Sequence, residues 1–116
     1  MQTITVDKKT LIETITKNRE EHREMFLKAQ EKYREKVVQL LDERLEQARQ
    51  GKKIDLFIRL PEPVDYTSSY DTALNMLQWE VGDQVELAQE DFERYVENNW
   101  EWRAHWAANT GSYLQE

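Results

Sequence analysis

Cysteine is absent from this chain of 116 residues. Its absence excludes a disulfide, a thiolate nucleophile and a zinc site with cysteine ligands, and it is typical of proteins in a reducing cytosol. Glycine occurs three times and proline twice. So few glycines cannot build a phosphate-binding loop, and so few chain breakers argue against a disordered or linker-rich chain. We therefore expect one folded domain over residues 1–116.

Long apolar runs are missing as well. No stretch approaches the roughly 20 apolar residues of a membrane-spanning helix. The opening MQTITVDKK lacks the basic start and the apolar core of a signal peptide. These features predict a cytoplasmic protein that makes no contact with a membrane.

Negative charge gathers in the second half of the chain. The formal net charge is -7, from 16 Lys and Arg against 23 Asp and Glu. Residues 7–50 hold eleven basic and ten acidic residues, whereas residues 60–116 hold two basic and twelve acidic ones. An acidic surface repels phosphate groups and attracts basic partners. We expect no direct nucleic acid binding, and the charge serves either solubility or an acidic contact face.

An apolar stripe with steps of three and four residues predicts a long helix over residues 8–50. Asp7 is the expected N-cap, with Thr10 as the alternative, and Gly51 is the expected stop. Such a helix is about 60 Å long, whereas a compact domain of this size is about 35 Å across. The stripe beyond the body must be buried by a partner, or the helix must break. The stripe contains Leu11, Ile15, Asn18, His22, Phe26, Ala29, Tyr33, Val37, Leu41, Leu45 and Ala48.

We predict that the long helix pairs with its counterpart in a homodimer. Asn18 and His22 lie on the stripe, and a buried polar side chain can set the register of two helices. The alternative is that both lie at a wet edge. The expected seam between the two copies consists of Ile15, Asn18, His22, Phe26, Tyr33 and Leu41.

Alternating apolar and polar residues predict a small antiparallel sheet. MQTITV indicates a strand at 2–6, and IDLFIRL indicates one at 54–60 that ends at Pro61. QVELA indicates a third short strand at 84–87, or an extended link. We expect 54–60 to pair with the N-terminal strand, either because the long helix doubles over or because a second copy supplies the edge.

Two shorter helices are predicted at 68–81 and 89–108. The first ends at Gly82, and the second is followed by a frayed tail, NTGSYLQE, with Gly111 as the stop. Two strands alone are marginal in water, so these helices must cover the sheet. The predicted fold class is α+β and mainly helical, with one long helix and a small antiparallel sheet.

No set of residues matches a known catalytic pattern. Glu101 and His105 can share one side of a helix, but they offer two metal ligands where a site needs three or four. Ser68 and Ser69 lie in a polar loop without the sharp turn that presents a nucleophilic serine. We predict that the protein is not an enzyme and that it uses no cofactor or metal.

Three tryptophans fall within seven residues of the stretch NNWEWRAHWAAN. On a continuous helix, Trp102 and Trp106 pack together as core, and Trp100 points about 160° away from Trp102. A tryptophan at the edge of a core, beside acidic residues, is a frequent anchor for a protein partner. A core position and a ligand pocket are the alternatives. The predicted partner-binding residues are Glu97, Trp100, Glu101 and Arg103.

Two stretches together resemble a known group of proteins. They are LPEPVDYTSSYDTALNMLQWEVGDQVEL, at 60–87, and FERYVENNWEWRAHWAANTGSY, at 92–113. The pattern L-P-x-P-x-D, then Y-D-x-A, V-x-D-x-V-E-L and W-x-W-R is similar to small uncharacterised proteins common in bacteriophage and prophage genomes. The resemblance implies a phage-linked origin and a bacterial cytoplasm. It implies no reaction, cofactor or catalytic residue.

These observations predict a non-enzymatic phage accessory protein that acts through protein–protein contacts, as a homodimer, on a bacterial or phage partner. One alternative is a structural component of the virion or of its assembly, in which the long helix makes repeating contacts. A second alternative is an acidic inhibitor that mimics DNA and occupies the site of a host enzyme.

Overall fold

The computed structural model describes residues 2–100 and 104–115. Strand β1 (Thr3–Asp7), helix α1 (Lys8–Arg49), helix α2 (Thr67–Leu77) and strand β2 (Gln84–Ala88) come first. Two short helices that mix α and π turns follow: α3 joins Gln89–Asp91 to Phe92–Val96, and α4 joins Ala104–Trp106, Ala107–Gly111 and Ser112–Leu114. The predicted fold class, α+β and mainly helical, is confirmed.

Helix α1 is an unbroken rod of 42 residues. The Asp7 carboxylate accepts hydrogen bonds from the Thr10 N–H at 3.0 Å and from the Thr10 hydroxyl at 2.9 Å, so Asp7 is the N-cap. Just past the end of the helix, Gly51 takes a φ of 79°, which glycine adopts without strain. The molecule measures 69 × 25 × 22 Å. The helix therefore extends well beyond the body, as its predicted length requires.

Strands β1 and β2 form an antiparallel sheet of two strands, with Thr3 opposite Ala88 and Asp7 opposite Gln84. The strands predicted at 2–6 and 84–87 are confirmed. The strand predicted at 54–60 is wrong, because these residues, all of them described, take part in no sheet. Helix α1 carries them to the far end of the molecule, out of reach of β1.

The core surrounds the N-terminal part of α1, where α2, α3 and the sheet pack against it. Helix α2 confirms the helix predicted at 68–81 but ends at Leu77, since the chain then turns toward β2. Trp106 is buried, as predicted. The buried core cluster consists of Leu11, Ile15, Tyr70, Leu77, Val85, Trp100 and Trp106.

The helix predicted at 89–108 is interrupted. Helix α3 ends at Val96, and Asn98 takes a φ of 54°, in the left-handed region that asparagine tolerates better than most residues. The Asn98 side chain accepts a hydrogen bond from the Tyr70 hydroxyl and donates one to Glu21 at 3.4 Å. These bonds hold the turn that redirects the chain before α4.

The tail predicted to fray belongs to α4 instead. Thr110 and Tyr113 are buried. The Thr110 hydroxyl oxygen accepts a hydrogen bond from the Val64 N–H at 3.1 Å, and the Tyr113 hydroxyl donates to the Pro61 carbonyl. Helix α4 thereby holds the chain where it returns from the end of α1, and these contacts keep the tail helical.

Gly111, predicted as a helix stop, lies inside α4 against the ring of Trp106. A Cβ at this position would sit 2.6 Å from Trp106 Cζ3 and 3.0 Å from Cε3. We expect Gly111→Ala to lower the free energy of unfolding by about 1–2 kcal/mol, because the overpacking outweighs the better helix propensity of alanine. Urea unfolding followed by circular dichroism measures the change.

The matched control combines Gly111→Ala with Trp106→Phe, which shortens the ring that the new methyl group meets. The double variant should lose less stability than the two single losses added together. Strict additivity would contradict a clash between these two side chains.

Candidate interaction surfaces

The predicted partner-binding patch does not form as expected. Trp100 is 1% exposed, so its prediction as a surface anchor is wrong. The left-handed φ of Asn98 lies between α3 and Trp100, so the direction of this ring does not follow from continuing the helix. Glu97 is exposed. Glu101 and Arg103, like Trp102, lie outside the described residues.

Trp100 instead belongs to an aromatic cluster with His22, Tyr66 and Tyr70. Its ring centroid lies 4.9 Å from that of His22 and 4.8 Å from that of Tyr66, with which it stacks. The Trp100 Nε1–H donates to the Tyr70 hydroxyl. Burial raises the pKa of Tyr70 to about 12, so this hydroxyl keeps its proton and donates it to Asn98. The cluster joins α1, α2 and the turn after α3.

His22 is fully buried at the centre of this cluster. Its Nε2 accepts a hydrogen bond from the Tyr66 N–H at 3.2 Å, which places the proton of the neutral ring on Nδ1. Burial lowers the pKa of His22 to about 4, although the nearby Asp65 carboxylate acts in the opposite direction. The ring is therefore neutral at pH 7.

The N-terminal part of the predicted dimer seam is covered by the chain itself. Ile15, Asn18 and His22 are buried in the described chain. Asn18 Nδ2 donates to the Tyr95 and Val96 carbonyls, both at 2.8 Å. The prediction that these three residues face a second copy is wrong, because α2 and α3 already occupy that face.

The other seam residues become more accessible along α1. Phe26 is half-buried, with the Arg23 guanidinium 5.5 Å from the centre of its ring. Tyr33, also half-buried, packs edge-on against Tyr113 at 6.0 Å. Leu41 is 47% exposed. Of the predicted seam, Leu41 is therefore the residue best placed to meet another molecule.

Residues 37–49, here called the projecting half of α1, carry an uncovered apolar face. Val38, Leu41 and Leu45 are each about half exposed, at 57%, 47% and 55%. At 100° per residue, these three side chains fall within an arc of about 60°. They form a continuous apolar strip on the part of the helix that extends past the body.

Residues 52–60, here called the returning segment, run back from the end of α1 in an extended form. The chain leaves the helix at Gly51 and meets it again where Asp65 pairs with Arg23. The roughly 14 residues from Gly51 to Asp65 must span the distance between Arg49 and Arg23, which is about 39 Å along α1. Their fully extended length is only about 46 Å. Leu56 and Phe57 are 82% and 73% exposed. The returning segment thus also exposes large apolar side chains.

A groove of about 420 Å³ lies at the opposite end of the molecule, between α2 and β2. Leu77 and Val85 of the core line its floor. Glu80, Glu86 and Asp91 also line it, and the Glu86 carboxylate accepts a hydrogen bond from the Thr3 hydroxyl of β1 at 2.5 Å. Three of the twelve acidic residues of 60–116 thus lie beside an apolar depression.

Comparison of the chain with protein-family models, with curated proteins and with solved structures finds no match. Within residues 2–100 and 104–115, no group of three His, Asp or Glu side chains is placed to hold a metal ion. None of the helices in that part of the chain has the length and apolarity needed to cross a bilayer.

Proposed function

We propose that this protein is a non-enzymatic interaction protein that works as a homodimer, built through the projecting half of α1 and the returning segment. The carrying observation is that both elements expose large apolar side chains. The resemblance to small phage proteins supports an accessory role toward a phage or bacterial protein. The dimer forms the stable platform for that role.

The size of the exposed surface supports self-association. Each copy offers five large apolar side chains, which are Val38, Leu41, Leu45, Leu56 and Phe57. Burying the exposed part of each is worth about 1 kcal/mol, half of the value for complete burial. Ten such side chains contribute about 10 kcal/mol, within the range of about 4–15 kcal/mol that association costs. Hydrogen bonds and the covered helix face add to this total.

A glutamate on the apolar strip tests the dimer. We expect Leu41→Glu to weaken self-association at least tenfold, because the interface would bury an unpaired carboxylate. Sedimentation velocity across micromolar concentrations measures the mass and the dissociation constant. The wild-type chain should sediment as a dimer at concentrations at which the variant is a monomer.

Gln39→Glu is the matched control, since it adds the same charge at an exposed site about 160° around the helix from Leu41. This variant should keep the wild-type dissociation constant. A wild-type chain that stays monomeric would contradict the proposal. Growth into rings or filaments would also contradict it and would favour a role in virion assembly.

A further inference from the structure

The backbone hydrogen bonds at the two ends of the sheet define which way each residue of β2 faces. The Lys8 N–H donates to the Asp83 carbonyl at 2.7 Å, just beyond one end. The Gln89 N–H donates to the Gln2 carbonyl at 3.1 Å, just beyond the other. Hydrogen-bonded and non-hydrogen-bonded pairs alternate along an antiparallel ladder. These two bonds therefore set the alternation for every residue between them.

The outer edge of β2 follows from that alternation. Val85 and Leu87 exchange hydrogen bonds with β1, and the N–H and C=O groups of Gln84, Glu86 and Ala88 point away from it. The described sheet has two strands, so no third strand takes these outward groups. The groove lies against this same strand. An extended peptide can therefore bond to the edge while its side chains enter the groove.

The charged residues that line the groove are all acidic. Glu80, Glu86 and Asp91 line it, and none of the lysines and arginines among the described residues does. Strand β1 runs directly into Lys8 and Lys9. One of these cations, the Lys8 ammonium, reaches the Glu80 carbonyl at 2.6 Å. Apart from Lys8 at its end, the groove beside β2 is bordered by acidic residues and favours a basic strand.

The returning segment has the chemistry that this edge requires. Its sequence, KKIDLFIRL, alternates apolar residues and carries Lys52, Lys53 and Arg59 against a single acid, Asp55. It is extended but pairs with no strand among the described residues. The Phe57 N–H is held locally by the Asp55 carboxylate at 2.9 Å, a bond that strand pairing can replace.

We propose that the returning segment of one copy lies in the groove of a second copy as a third strand, paired with the outer edge of β2. This inference rests on the proposed homodimer and specifies its contact. The segment cannot reach its own groove, because Leu56 is only five residues, about 17 Å at most, from Gly51, whereas Ile15 beside the groove lies about 51 Å from the end of α1.

Reciprocal exchange closes the assembly at two copies. Each copy offers one segment and one groove, so a two-fold axis satisfies both, with the two α1 helices antiparallel. In this arrangement each body lies beside the projecting half of the other copy. The strip formed by Val38, Leu41 and Leu45 is then covered by the same contact that fills the groove.

Cross-linking between two differently tagged copies tests the contact against a cysteine-free background. One copy carries Glu86→Cys, and the other carries Asp55→Cys, Leu56→Cys or Phe57→Cys, all at exposed sites. Disulfides form only over a short distance, and side chains alternate along a strand. Under mild oxidation we expect one of two patterns. Either Leu56→Cys gives at least tenfold more mixed disulfide than Asp55→Cys and Phe57→Cys, or these two give at least tenfold more than Leu56→Cys.

Thr5→Cys replaces Glu86→Cys in the control, because Thr5 lies directly opposite Glu86 in the register but belongs to the other edge. It should give at least tenfold less mixed disulfide. Equal yields at the three segment positions, or a yield at Thr5 that matches Glu86, would overturn strand addition at β2.

Sedimentation of the same variants separates the two proposals. A dimer without the alternating cross-link would overturn the strand exchange and leave the homodimer in place. A monomer without cross-links would overturn both. A dimer with the alternating cross-link supports both.

Discussion

Replacing Trp100 with alanine is expected to lower the free energy of unfolding by about 3–5 kcal/mol. Trp100 is fully enclosed, and its removal leaves a cavity between His22, Tyr66 and Tyr70. It also removes the indole N–H that donates to the Tyr70 hydroxyl. Because small domains are stable by about 5–15 kcal/mol, this one change would consume a large part of the total. Urea unfolding monitored by circular dichroism measures it.

Trp79→Ala is the control for this prediction. Trp79 is 84% exposed in the turn after α2, so its loss should change the unfolding free energy by no more than about 0.5 kcal/mol. Comparable losses at the two positions would show that Trp100 is not the centre of the core.

Acidification from pH 6.5 to pH 4 is expected to destabilise the protein by about 3 kcal/mol through His22 alone. Burial lowers the folded-state pKa of His22 from 6.5 to about 4, so only the unfolded chain takes up the proton within this window. The contribution of neutral His22 to the free energy of unfolding is therefore fully present above pH 6.5 and is lost as the pH falls toward 4. Unfolding free energies measured by urea at half-unit steps of pH test this slope.

His22→Gln is the control, since glutamine cannot titrate. The variant is less stable at pH 7. Between pH 6.5 and 4, however, its free energy of unfolding should fall by about 3 kcal/mol less than that of the wild type. Burial alone would raise the pKa of Asp65, but hydrogen bonds from Thr67 and the charge of Arg23 hold this pKa below the usual 3.8. Asp65 therefore titrates below the pH range in which His22 is tested. An unchanged slope in the variant would contradict a neutral buried His22.

The elements that depend on local signals could be predicted from the sequence. Helix α1 follows from the regular stripe, the Asp7 cap and Gly51, all of which act within a few residues. Strand β2 follows from alternation in QVELA. The same alternation at 54–60 produced no sheet. An alternating pattern shows that an extended segment has one apolar and one polar face, but not that it pairs with another strand. Whether a strand finds a partner depends on where the chain carries it.

The position of Trp100 could not be obtained by extending helical geometry through Asn98 and Asn99. A residue with a left-handed φ ends the helical geometry. The directions of the side chains after it can then not be calculated from a rotation of about 100° per residue. The two consecutive asparagines were the available signal, since asparagine is enriched in such turns. The groove beside β2 was also missed, because it requires α2 and β2 to be placed in space.

The stripe on α1 illustrates a further limit. Periodicity identifies which side chains of a helix are buried but does not identify what buries them. Ile15, Asn18 and His22 are covered by later parts of the same chain, whereas Leu41 is not. The length of the helix was the better guide, since a rod longer than its own body must leave part of its stripe uncovered.

The register of the sheet also affects the order in which the protein can form during synthesis. Thr3 pairs with Ala88, so 85 residues separate the two ends of one ladder. At about 5–20 residues per second, β1 must wait roughly 4–17 s for β2 to be made. The nascent rod therefore emerges from the ribosome before the segments that cover its apolar side, and it is most exposed to chaperones and to neighbouring nascent chains in that interval.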